Sequence, residues 1–161
     1  MAASTDTVHQ YFDNYGWQYE FDPTTTTWRT GFRGDTSNFN IIVHLTENWL
    51  FFALNPFVNC PKDPACTPRL HHHLLRLNHV VNMAKFSVDE EGDVVLTVEL
   101  PTESLDYSDF ADGLNALSYY ADTYYLDILN LAQNPDYEPT LPVEDGDPPV
   151  GDNGDRGLEM N

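Results

Sequence analysis

Basic residues are scarce in this chain: 7 Lys and Arg stand against 26 Asp and Glu, for a net charge of −19. A surface so short of cations repels phosphate backbones and anionic headgroups, which argues against nucleic acid or a membrane surface as the direct partner. Cysteine is sparse as well. Two residues, Cys60 and Cys66, do not make a disulfide framework. No stretch reaches the roughly 18 unbroken apolar residues that a membrane helix needs. The opening MAASTDTVHQYFDNYG lacks the basic and apolar regions of a secretory signal, so a soluble cytoplasmic protein is expected. Motifs that carry chemistry are missing too: there is no G-x-S-x-G, Walker loop, G-x-G-x-x-G or HExxH. The expectation is a protein that is not an enzyme and needs no cofactor.

What is present divides into two parts. Residues 135–161, PDYEPTLPVEDGDPPVGDNGDRGLEMN, are rich in Pro, Gly and Asp. They hold too little apolar surface to offset ordering entropy, so an acidic disordered tail is expected there after a domain spanning 1–134. The tail contributes −7 to the charge and the domain −12, so the domain is acidic in its own right. A partner with a basic surface suits that field.

Within the domain the apolar period changes repeatedly. Val8, Tyr11, Phe12 and Tyr15 have helical spacing, with Ser4 or Thr5 as N-cap and Gly16 past the end. Trp17, Tyr19 and Phe21 alternate as in a strand, and TTTTWRTGFRG continues in β-branched residues anchored by Trp28 and Phe32. Residues 39–45 and 49–57 read as a hairpin whose second strand is apolar on both faces, as in a central strand. A loop, NCPKDPACT, leads to a helix over 68–82, with Thr67 as cap and Leu70, Leu74, Leu77 and Val81 on one stripe. A strand–DEEGD–strand hairpin follows, alternating through Val94, Leu96, Val98 and Leu100. Asp106 or Ser108 caps a last helix carrying Phe110, Leu114, Leu117, Ala121, Tyr124, Ile128 and Leu131. The order α-β-β-β-β-α-β-β-α predicts an α+β domain with a twisted antiparallel sheet packed by helices, and argues against a βαβ fold. The three tryptophans, Trp17, Trp28 and Trp49, are expected on the sheet face against the helices.

The helix reading Leu74-Leu75-x-Leu77-Asn78-x-x-x-Asn82 runs into that DEEGD hairpin, then Glu99-Leu100-Pro101, then a closing helix with Ala121-Asp122-x-Tyr124-Tyr125. In this pattern the chain resembles the YbjN family and the wider type III secretion chaperone-like fold, most specifically over residues 74–125. The resemblance implies a non-catalytic protein-binding scaffold, often homodimeric, acting as adaptor, regulator or small chaperone on an extended or basic segment of a partner. It implies no catalytic residue. The CPKDPAC loop and the acidic tail fall outside the family pattern.

Several side chains are candidates for a more specific role. Cys60, Cys66, His72 and His79 offer thiolate and imidazole for a metal, which would make the protein a metal-responsive regulator. Against this, five residues separate the cysteines, and Arg76 lies between the two histidines. The DEEGD segment is too short for a calcium loop and reads as a turn with Gly92 at positive φ. Tyr119, Tyr120, Tyr124 and Tyr125 crowd one helix; Tyr124 continues its apolar stripe while Tyr120 and Tyr125 fall off it. Tyr119, Tyr120 and Tyr125, with Arg76 on the polar side of the preceding helix, are the candidate partner contacts, since exposed tyrosine favours interfaces. The same tyrosine helix would serve a structural subunit of a larger assembly.

Overall fold

The computed structural model describes residues 2–140, and its element order is the one read from the sequence. Helix α1 (Thr5–Tyr15) starts at a capping box in which the Ser4 side chain accepts from Thr7 N and Thr7 accepts from Ser4 N. It stops at Gly16, whose φ of 85° places it in the left-handed region. Strands β1 (Glu20–Asp22), β2 (Thr27–Arg33), β3 (Asn38–Leu45) and β4 (Trp49–Val58) then run as an antiparallel meander. Helix α2 (Cys66–Val80) carries the chain to the far edge, where β5 (Ala84–Val88) and β6 (Val94–Pro101) form the last hairpin. Because β6, not β5, pairs with β4, the sheet order is β1-β2-β3-β4-β6-β5, antiparallel throughout. Helix α3 (Tyr107–Gln133) is the last element among the described residues, capped by Asp106 and Asp109 in a second reciprocal box.

All three helices lie in one layer. Helix α3 crosses β4 and β6, with α2 on its β5 side and α1 toward β2. The core between layers is built by strand alternation: Trp28 and Phe32, Ile41 and Val43, Leu50 and Phe52, Leu96 and Val98 meet Phe110, Leu114, Leu117 and Ile128, all buried. Helix and sheet touch closely at Gly113, where an added Cβ would come within 2.7 Å of Phe52.

Four local expectations change. Helix α2 begins at Cys66, two residues before Pro68, with Ala65 at the cap and no side-chain cap. Asp63 initiates the turn through its carbonyl to Cys66 N and its carboxylate to Ala65 N. Pro68 is still inside the first turn, where no N–H is needed. Strand β1 is only three residues long: Trp17 leaves the strand line to stack on Phe32 at 5.8 Å, and 23–26 form a turn, not strand. Of the tryptophans, Trp17 and Trp28 are core, but Trp49 is 44% exposed on the other side of the sheet. Finally, 135–139 lie against α2, with Arg69 donating to the carbonyls of Pro135 and Tyr137. The rest of the expected tail, 141–161, lies outside the described residues.

Candidate protein-binding surface

The sheet face away from the helices is uncovered among the described residues. Its side chains are the outward half of each alternation, and the register aligns them in rows. Glu20, Arg29, Ile42, Ala53, Thr97 and Lys85 are successive cross-strand partners, and Asp22, Thr27, His44, Phe51 and Glu99 form the next row. Trp49 pairs with Pro101 beyond them. Ile42 is 37% exposed, and Phe51 and Ala53 are half-buried by their neighbours. His44 stacks on Phe51 at 6.4 Å between centroids, and Lys85 Nζ reaches Glu99 Oε1 at 2.8 Å.

Charge is distributed unevenly over the molecule. Arg29, Arg33 and Lys85 occupy outward positions of this face and are balanced there by Glu20, Asp22 and Glu99. The face is therefore near neutral with an aromatic centre, while the chain as a whole carries −19. A centre depleted of net charge, holding Trp and Phe and rimmed by polar groups, is the composition of an interface core.

The β5 edge of the sheet is guarded by a side chain. On β5 the Asn78 side chain acts as a strand substitute: Oδ1 accepts from Phe86 N at 2.7 Å and Nδ2 donates to Phe86 O at 2.9 Å. This blocks the middle of that edge against strand addition. Asn78→Ala is expected to uncover the edge, lower stability by about 1 kcal/mol, and produce concentration-dependent association in sedimentation velocity. A variant that stays as dispersed as the parent at the same concentration would show the edge is protected by something else.

The tyrosines named from the sequence form an aromatic layer, not a free surface. Tyr120 is 1% exposed, and its hydroxyl accepts from Asn82 N at 2.9 Å, fixing the end of α2. This corrects its assignment as an exposed partner contact. Tyr124 stacks on Tyr120, and burial raises its phenol pKa, keeping it neutral. Tyr125 packs edge-on against Phe39 and Phe57, and Tyr119 against Tyr120; both are half-buried. Arg76 is exposed on α2. The metal candidates are not brought together: Cys66 is buried in the core, Cys60 is exposed beside Gly92, and His72 and His79 face solvent. Among the described residues no group of three or more His, Cys, Asp or Glu is arranged to hold an ion. Nor is any helix there long and apolar enough to cross a membrane.

Sequence reasoning does not single out Ile42, Trp49 and Phe51 as surface candidates. Their signal is apolarity on both faces of a strand, in Ile41-Ile42-Val43 of β3 and in Trp49–Leu54 of β4, which reads equally well as a strand covered on both sides.

No protein-family model matches the sequence, and no curated protein matches it. Solved structures do match the fold. YbjN from E. coli is 16% identical, covering 78% of this chain and 94% of its own, with a TM-score of 0.58. The HopA1–SchA chaperone–effector complex contains a chain 15% identical, covering 75% of this chain and 91% of its own at 0.53. In the ExoU–SpcU complex of the Pseudomonas aeruginosa type III secretion system, the matching chain is 15% identical, covering 76% and 94% at 0.52. The domain has the α+β fold shared by YbjN and these secretion chaperones.

Proposed function

We propose that this chain is a non-catalytic protein-binding adaptor of the small-chaperone kind, and that it takes a segment of a partner protein on its uncovered sheet face. The observation that carries this reading is the near-neutral patch of Ile42, Ala53, Phe51 and Trp49, spread over adjacent rows on a helix-free face of a strongly acidic molecule. The likeness to chains solved in chaperone–effector complexes supports it. The acidic remainder steers partners whose flanks are basic, so association slows as salt rises, while the neutral centre holds the docked segment by apolar contact.

The test places a photo-crosslinking residue at position 42, and separately at exposed position 75 on α2 as control. Crosslinks from 42 to one defined segment of one partner, absent from 75, are the expected result. Trp49→Ala should weaken that complex by about thirtyfold, the loss of a hot-spot aromatic worth about 2 kcal/mol, with the fold unchanged by circular dichroism. Partner binding that survives both Trp49→Ala and Ile42→Lys would remove the sheet face as the site. Crosslinks only to a second copy of the chain, with a dimer abolished by Ile42→Lys, would assign the face to self-association instead.

A further inference from the structure

In the helix layer, on the far side of the sheet from the open face, α2, α3 and the segment after it line an open hollow of about 360 Å³. Five α2 residues line it: Pro68, and at positions i, i+3, i+4 and i+7 the basic Arg69, His72, His73 and Arg76. Leu131 of α3 and Pro139 supply an apolar wall opposite them. In a chain with only 7 Lys and Arg residues, two of them stand on one stripe of this hollow together with two imidazoles.

The four are not equivalent. Arg69 is committed to the rim: Nη1 donates to Pro135 O at 2.7 Å, and Nη2 donates to Tyr137 O and lies 3.4 Å from Glu138 Oε1. Glu138 thereby offsets Arg69. Arg76 is exposed at the hollow, and no hydrogen bond or ion pair to a described residue occupies its guanidinium. His73 is 5% exposed, and its Nε2 has no hydrogen-bond partner among the described residues. A buried imidazole nitrogen without a partner carries the desolvation penalty of an unmade hydrogen bond, which a ligand atom would relieve. Burial lowers the His73 pKa, opposed by nearby Asp127, so the ring is neutral near pH 7 and has one N–H to donate.

We propose that this hollow binds a carboxylate carried on an apolar body, with Arg76 and His73 taking the carboxylate and Leu131 and Pro139 covering the rest. A guanidinium matches a carboxylate with two parallel N–H donors, and a neutral wall beside it rejects bare, strongly hydrated anions. The proposal is independent of the sheet face. Its chemistry has two sources, an independent ligand or the chain's own Glu144-Asp145-Gly146-Asp147 run, whose carboxylates directly follow the apolar Leu141-Pro142-Val143 in the sequence.

The experiment titrates phenylacetate into the full chain while NMR follows the His73 ring and Leu131 methyl signals, with benzyl alcohol and inorganic phosphate in parallel. Phenylacetate should shift both signals, and the two controls should bind about tenfold more weakly, each lacking one half of the match. Arg76→Gln, at an exposed position that leaves packing intact, should weaken phenylacetate by about tenfold. The same titration on E144Q/D145N/D147N separates the sources: tighter binding than in the parent assigns the site to the chain's own run, and unchanged binding assigns it to an independent carboxylate. Signals unmoved by phenylacetate in both the parent and that variant overturn the proposal, as does binding that Arg76→Gln leaves unchanged.

Discussion

Tyr120→Ala is expected to destabilise the domain by about 3–5 kcal/mol, the range for deleting a large buried aromatic. Its ring is fully enclosed, stacks on Tyr124, meets Tyr119 edge-on, and ties α3 to the end of α2 through the hydroxyl on Asn82 N. Tyr120→Phe keeps the ring and removes only the hydroxyl, so it should lose about 1 kcal/mol. Chemical denaturation of the three proteins checks the order. If Tyr120 were a surface contact, both variants would unfold at the parent's denaturant midpoint, and the packing described here would be wrong.

Gly113→Val is expected to lower stability by about 3 kcal/mol, at the upper end of overpacking effects. A side chain at 113 meets the Phe52 ring at 2.7 and 3.2 Å and Leu100 Cδ1 at 3.2 Å, between a helix and a strand that are both held elsewhere. Gly113→Ala should fall between the two, because alanine's better helix propensity, worth about 1 kcal/mol, offsets part of the strain. Gly16→Ala is the contrast. Nothing lies within 4 Å there, and only the φ of 85° is strained, so about 1 kcal/mol should be lost. Thermal melts that rank Gly16→Ala as more damaging than Gly113→Val would mean that α3 does not press on β4 as described.

The element order was legible because each helix and strand repeats its apolar residues locally. The stripe through Leu70, Leu74 and Leu77, and the alternation through Val94, Leu96, Val98 and Leu100, are visible whatever lies across from them. The DEEGD turn was legible for the same reason: Gly92, at φ 87°, closes it as the turn chemistry requires. The candidate site was much less legible. Tyr120 was placed outside because it falls off a single stripe, but α3 has neighbours on more than one side. Between Phe110 and Ala121 it is buried around most of its circumference, and one stripe no longer separates core from surface there.

The sequence by itself determined the secondary structure, the antiparallel α+β class and the acidity, since these follow from short-range periodicity and composition. Only the tertiary structure decided which apolar face of β4 stays uncovered, that Asn78 guards the β5 edge, that Cys60 and Cys66 are kept apart from the histidines, and that 135–139 fold back onto Arg69. Each of these joins residues distant in sequence or places one face of an element against another. No local period encodes such a choice: alternation says that a strand has two faces, and only the placement of α3 says which of them is buried.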